Sequence, residues 1–439
     1  GCNGNYQRSK IIIQNGNMCE LDLPLKFAQK LYNEFAIRHP NAFYLRTRQR
    51  GMQNWDGKIH YITKTGQFKI GLLPKVYDMC IEMGIKPKVV DMRQPLPKIS
   101  KVVTNIGKYK LRPEQEKAVK SVINNRVGDT PFHIGVLDYT VNAGKTLIMS
   151  SLYLSYKKQL KTLLITNDSD WLNQAREEFK QYLPGEDITF VQGKVLNWSN
   201  FTIGMVQSIS RNMRFYQKEL SQIDMVLIDE ADQGGSKQYQ NVITRLFNTR
   251  IRIGLSGTIY MSKLAKDRVK NMNLECFFGK VLAEFKLKDS IKKGYSTKTV
   301  VKMVPGKPWY GNWESDCISY KEIYDDSITN CYTAWLMAYN RLLWNLNQGR
   351  YPALVVCKHI AHCENLYKFF KKKLGDAYNI AYVHVNTPSK LRQQIMKDFR
   401  EGKIDILVST TIIARGKNFP KLRYLLNTAS MLSNEKTIQ

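Results

Sequence analysis

Acidic side chains are scarce in this sequence. Thirty-seven Asp and Glu stand against 67 Lys and Arg, leaving a formal charge of +30. So large an excess argues against a polycationic partner and points to a polyanion. Long apolar runs are missing as well. Stretches such as 353–357 are short and bordered by charge, whereas a membrane span needs about 20 apolar residues. No secretory signal pattern, repeat or low-complexity tract is visible. A basic chain without a span favours nucleic acid over a membrane surface. Cysteine is sparse: eight residues scattered over 439 do not make a disulfide framework, so a reducing cytoplasm is the expected compartment.

What is present is ordinary in amount and ordered in pattern. Apolar residues make up 43%, enough for sizeable cores, and the length predicts two to four domains. Residues 1–95 read as a small, basic α+β accessory domain. A helix is expected over 21–38, with Phe27, Leu31, Phe35 and Ile37 as its apolar positions. Strands are expected over 58–63 and 67–70, joined by a turn at 64–66, followed by a helix over 74–83. Arg46, Arg48 and Arg50 alternate, so in a strand they would share one face and could track phosphates. Trp55 and Lys58 would add to that contact. The plainer alternatives are a solvated face for the arginines and a core position for Trp55. Residues 96–108, at the end of a proline-bearing stretch with Pro95 and Pro97, read as a linker.

From 109 the pattern changes to short apolar strands alternating with helices. Strands are expected over 132–137, 161–165, 201–206, 225–228 and 251–255, with a helix from Thr146. A second series opens at 300–303 and continues at 353–356, 380–384 and 404–408. Such alternation implies parallel sheets covered on both faces. The expected fold is therefore α/β, with one lobe over 109–285 and another over 286–439.

The first strand runs into Asp138-Tyr139-Thr140-Val141-Asn142-Ala143-Gly144-Lys145-Thr146. A phosphate loop needs exposed backbone N–H groups, a lysine for the β/γ phosphates and a hydroxyl for Mg²⁺. Gly144, Lys145 and Thr146 supply these at a helix start. Asn142 stands where glycine is usual, and asparagine tolerates left-handed backbone angles better than most residues. About 80 residues later, an apolar strand delivers Asp229-Glu230-Ala231-Asp232. Asp229 is placed to hold Mg²⁺ and Glu230 to orient and deprotonate water. Together the two motifs predict nucleotide hydrolysis, with ATP and Mg²⁺.

These residues resemble the superfamily 2 helicases, whose two lobes are RecA-like. Asp229–Asp232 resembles motif II. Ser256-Gly257-Thr258 resembles motif III, which in the family couples nucleotide state to movement on the track. Leu111-Arg112-Pro113-Glu114-Gln115 resembles the Q motif, whose glutamine reads adenine, and Tyr109 is placed to stack on the base. Trp171-Leu172-Asn173-Gln174 resembles motif Ia, and Gly204-Met205-Val206-Gln207-Ser208 resembles the nucleic-acid-contacting motif that follows it. In the second lobe, Val356-Cys357-Lys358-His359 resembles motif IV. Ser409-Thr410 with Gly416 and Phe419-Pro420 resembles motif V. The resemblance assigns nucleic-acid contact to Gln174, Gln207, Lys358, His359, Ser409 and Thr410, and nucleotide contact to Asn142, Ala143 and Gly416.

Within the superfamily, Ala143-Gly144 and the stretch Asn54-Trp55-Asp56-Gly57-Lys58 resemble the phage branch-migration helicases. This implies duplex, forked or branched DNA as partner and, for a phage protein, the host bacterial cytoplasm. Asp-Glu-Ala-Asp also marks the RNA helicases. Those usually carry Ser-Ala-Thr as motif III, so RNA is the second reading. A nucleic-acid-binding protein with a degenerate motor is a third. Lys436-Thr437-Ile438-Gln439 resembles the opening of motif VI without its arginines, and the natural chain is expected to continue.

Three smaller features complete the reading. Cys357, His359, His362 and Cys363 could form a zinc site, but their spacing is not that of paired CxxC ligands, and a buried strand running into a helix fits better. His133 and His384 read as structural. Trp309, Tyr310 and Trp313 lie in an insertion over 306–313.

Overall fold

The computed structural model describes residues 9–193, 197–260, 264, 267–298, 300–302, 319–411 and 419–429. Residues 1–298 form one compact unit and residues 299–439 a second.

The N-terminal part of the first unit is built on a four-stranded sheet. Its strands are β1 (Lys10–Ile13), β2 (Met18–Asp22), β5 (Gln67–Lys69) and β6 (Lys88–Asp91), in the order β5-β2-β1-β6. Between β2 and β5 lie helix α1 (Leu25–Glu34), β3 (Ala36–Arg38), α2 (Ala42–Arg48) and β4 (Lys58–His60), and α3 (Leu73–Glu82) precedes β6. Of the helix expected over 21–38, only the middle ten residues are helical. Leu21 and Asp22 finish β2, Pro24 sets the helix start with φ −54°, and Ala36–Arg38 leaves to pair with Lys58–His60. The expected hairpin is partial. Ile62 bridges Phe68 across the 64–66 turn, but β4 and β5 join different sheets.

The arginine row is corrected outright. Residues Ala42–Arg48 are helical, so Arg46 and Arg48 point about 200° apart and do not share a face. Ala42 is buried, and the helix lies across the Gly57 turn: a Cβ on Gly57 would stand 3.2 Å from Ala42 Cβ. Packing against that turn, which local alternation does not reveal, decided helix over strand.

Two short hairpins follow, β7 (Asn105–Ile106) with β8 (Tyr109–Lys110) and β9 (Arg126–Val127) with β10 (Thr130–Pro131), separated by α4 (Pro113–Ile123). Then comes a seven-stranded sheet, parallel throughout. Its strands are β11 (His133–Tyr139), β12 (Thr162–Thr166), β13 (Ile188–Val191), β14 (Phe201–Met205), β15 (Met225–Asp229), β16 (Ile251–Leu255) and β17 (Val281–Phe285). Their order is β13-β14-β12-β15-β16-β11-β17. The helices around it are α5 (Lys145–Ser155), α6 (Ser169–Tyr182), α7 (Val206–Arg211), α8 (Gln217–Ser221), α9 (Lys237–Ile243), α10 (Arg268–Phe278) and α11 (Leu287–Lys292). Alternate side chains enter two cores: Leu137, Leu227 and Ile253 on one face, Val136, Val226 and Ile228 on the other.

The N-terminal part and this sheet are not separate in packing. Ile11, Ile13, Leu72 and Val76 share a core with Phe132, Ile134 and Cys276. At its edge, Arg252, buried at 1% exposure within β16, donates to Gly16 O (2.9 Å), Asn17 Oδ1 (2.6 Å) and Phe277 O (3.1 Å). Arg93 donates to the carbonyls of Thr249 and Arg250.

In the second unit, α12 (Tyr320–Tyr324) and α13 (Tyr332–Leu346) precede β18 (Ala353–Cys357), α14 (Ile360–Leu374), β19 (Ile380–Val383), α15 (Ser389–Glu401), β20 (Ile406–Thr410) and β21 (Tyr424–Asn427). The sheet order is β19-β20-β18-β21, again all parallel. The strand expected at 300–303 is absent where it can be seen: Val300 and Val301 are exposed and in no strand, and Met303 lies outside the described residues. Among the described residues those two valines pair with no strand. The 306–313 insertion also lies outside the described residues.

Candidate nucleotide-binding and catalytic site

The register of the large sheet assembles the site. Asp229 on β15 pairs with Leu255 on β16, which pairs with Leu137 on β11. The carboxyl ends of β15 and β16 are therefore level, β11 runs two residues past them to Tyr139, and the chain leaves the three strands through Glu230, Ser256 and the 140–144 loop. The carboxyl ends of parallel strands are where α/β folds bind ligands.

The loop is shaped by two left-handed residues, Asn142 (φ 64°) and Gly144 (φ 72°), with Lys145 opening α5. Asparagine thus takes the conformation that the sequence reading asked of it. Gly144 has no room for a side chain, because Gln115 lies against it. Gln115 is buried and spent on protein: its Oε1 accepts from Arg112 N (2.9 Å) and its Nε2 donates to Ala143 O (2.9 Å). Arg112 Nη2 donates to Asn142 O (3.1 Å), and its guanidinium lies 4.1 Å over the Tyr295 ring. The residues expected to read adenine therefore brace the loop in this state. Tyr109 is half-buried, donates to Gln181 Oε1 and packs edge-on against Tyr182. Below the loop, Asp138 pairs with Lys286, and Tyr139 donates its hydroxyl to Glu114 O (2.6 Å).

Asp229 is 4% exposed, and its carboxyl is pushed up to about 7. Burial is the main cause, Lys145 opposes it, and the neighbouring carboxylates Glu230 and Asp168 reinforce it. Such a group gains from a cation. With the buried Thr146 it offers the oxygen donors that a hard divalent ion prefers. Glu230 sits at φ 53°, ψ 50°, a strained angle for a residue with a side chain and one that clusters at functional sites. Asp168 caps α6 through the N–H groups of Asp170 and Trp171. The sequence reading missed Asp168; the signal was an aspartate two residues past a strand at a helix start.

Motif III closes the row. Ser256 Oγ donates to Asp232 Oδ1 (3.2 Å) and accepts from Thr258 N (3.2 Å), while a Cβ on Gly257 would stand 3.2 Å from Thr140 Cα. The loops of motifs II and III are thus in direct contact.

The expected nucleic-acid contacts are spread out. Gln174 is exposed on α6 and bonded to Glu178. Gln207 Oε1 is buried without a hydrogen-bond partner among the described residues. Trp55 is half-buried and donates to Lys58 O (3.0 Å). In the second unit, Lys358 lies 5.1 Å over the Tyr324 ring, and His359 packs edge-on to it. Ser409 and Thr410 are buried at the end of β20. Gly416 and residues 436–439 lie outside the described residues. Cys357 and Cys363 are buried thiols, Cys363 facing the carbonyls of Val383 and Val408; burial draws His362 down to about 4. His133 is bonded to Val122 O (2.7 Å), and His384 faces Glu364.

The family described as the res subunit of type III restriction enzymes matches residues 108–261, and the helicase conserved C-terminal domain matches residues 336–439. The chain is similar to the ATP-dependent DNA helicase uvsW of Enterobacteria phage T4, with 21% identity over 85% of this chain and 75% of that protein. Over a fifth of each chain it is 33% identical to the ATP-dependent RNA helicase RhlB of Shewanella woodyi. Its fold is like that of a crystal structure of the UvsW helicase from bacteriophage T4: TM-score 0.50, 20% identity, 64% of this chain and all of that one.

Proposed function

This chain belongs to the superfamily 2 ATP-dependent helicases, and we propose that it spends ATP turnover on remodelling duplex or branched DNA. The observation that carries the ATP chemistry is the row of three neighbouring strand ends, with the buried Asp229 under the influence of both Lys145 and Glu230. Lys145 and the backbone of 142–145 would hold the β/γ phosphates. Thr146 and Asp229 would hold Mg²⁺, which neutralises phosphate charge during transfer. Glu230 orients the attacking water and takes its proton. Ser256 and Thr258 relay the state of motif II through Asp232.

Two facts support DNA as the track. The relative that aligns over 85% of this chain is a DNA helicase, while the RNA helicase matches span from about a fifth to 48% of it. Motif III reads Ser256-Gly257-Thr258, not the Ser-Ala-Thr usual in RNA helicases. The accessory domain over 1–95, with its exposed Arg46, Arg48, Arg50 and Lys58, would add phosphate contacts that position the protein without reading bases. ATP turnover measured at one fixed salt with forked, four-way, duplex and single-stranded DNA, and with RNA, tests this. Branched or duplex DNA should stimulate most; stimulation by RNA alone would move the assignment to an RNA helicase.

A further inference from the structure

The segment 35–55 carries four arginines and no acidic residue, and α2 displays two of its aromatics to solvent. Phe43 is 79% exposed and Tyr44 56%. At 100° per residue, the buried Ala42 sets the inner face of α2. Arg46 falls near that face, its Cδ 4.0 Å from where a Gly57 Cβ would stand. Phe43, Thr47, Tyr44 and Arg48 then line the outer face. Among the described residues nothing covers the two rings, yet they are held in place. Arg48 lies 5.2 Å over the Tyr44 ring, and Thr47 Oγ1 donates back to the carbonyls of Phe43 and Tyr44. The turn beneath the helix is braced too. Trp55 Nε1 donates to Lys58 O, Asp56 Oδ1 accepts from Lys58 N (2.9 Å), and Asp56 pairs with His60 (2.6 Å).

Exposed aromatics rimmed by guanidiniums, on an ordered support, match what unpaired nucleotides bind: π faces for bases and cations for the backbone. A paired base offers no such face to a flat surface. We propose that Phe43 and Tyr44 on α2 form a stacking platform for unpaired bases, where Arg48 and Arg50 hold the adjoining phosphates. This rests on the reading of the chain as a DNA-remodelling enzyme, and it names the part of a fork or junction that the accessory domain grips.

The test uses the full chain, with three DNA probes of equal length: a single-stranded oligonucleotide, a fork with single-stranded arms, and a blunt duplex. Both rings are exposed, so Phe43→Leu/Tyr44→Leu should fold normally, which circular dichroism checks. The Leu pair keeps apolar surface and removes stacking. It should weaken single-strand and fork binding about tenfold or more and leave the blunt duplex unchanged. Phe43→Tyr/Tyr44→Phe should bind like wild type. The slope of log affinity against log salt should stay the same in the Leu pair, because no charge is lost. In Arg46→Ala/Arg48→Ala/Arg50→Ala it should fall by roughly 0.7–0.9 per lost phosphate contact. Equal losses on all three probes, or no loss on single strands, would overturn the platform. So would a change in self-association with DNA affinity intact, which would make the patch a protein contact. If the wild type binds none of the probes, the DNA-remodelling reading itself falls, a result distinct from all of these.

Discussion

Two neighbouring carboxylates, Asp229 and Glu230, have different work to do. Glu230 acts on a proton, so Glu230→Gln should keep ATP binding and lower turnover by about a hundredfold or more; unchanged turnover would remove it from the mechanism. Asp229 acts through charge held out of water. Its carboxyl lies at about 7 in the fold, against an ordinary value of 3.8. The folded state therefore keeps a proton that the unfolded chain has already released. The stability this group contributes is full below about pH 4 and is lost as pH rises through 7. Asp229→Asn cannot ionise. Without nucleotide it should raise Tm at pH 8, and the gain should shrink toward pH 4 in a calorimetric titration. A gain that ignores pH would mean that Asp229 carries its charge without cost. The motif residues around these two were legible because their types follow from phosphate and metal chemistry. The bracing by Gln115 was not, since the sequence places it 28 residues from the carbonyl it binds.

Among the elements, five of the seven strands of the large sheet were legible to within two residues, while β13 and β17, which are only partly buried, were not. Each of those five is a short, mostly apolar run that is fully buried. Elements of the N-terminal part were harder, because their faces answer to neighbours far along the chain. Helix α2 is the clearest case: its alternating arginines have the period of a strand, and only the Gly57 turn shows why they do not form one. The contact between the motif II and motif III loops makes a prediction at this scale. Ser256→Ala/Thr258→Ala cuts the bond to Asp232 without touching Lys145, Asp229 or Glu230. ATP hydrolysis should then fall less than strand separation or branch migration. Parallel assays showing equal losses would remove the coupling role.

For the whole molecule, the buried cation in β16 is the most consequential residue outside the site. It stands in Ile251-Arg252-Ile253-Gly254-Leu255, and the sequence reading passed over it, although a charge in the centre of an apolar strand needs partners. Those partners are two carbonyls and an amide oxygen, two of the three from the N-terminal part. Burial, and then Arg93 nearby, lower the pKa of Arg252, so these bonds are what keep its charge inside. Arg252→Leu should strand all three acceptors and cost about 3 kcal/mol or more, read as a lower denaturation midpoint. The loss should appear in a single transition for the first unit. Two separate transitions would mean that its two parts fold independently.

That shared core also decides what a deletion experiment would mean. Cutting away 1–95 would strip the cover from Phe132, Ile134 and Cys276 and leave Arg252 with Phe277 O alone of its three acceptors. The remaining motor would meet solvent with a raw apolar wound, and its failure would look like a missing DNA contact. The N-terminal part is thus a poor candidate for grafting onto another helicase, since a recipient would need the matching socket. Point changes on α2, far from that seam, are the way to ask what the accessory domain does.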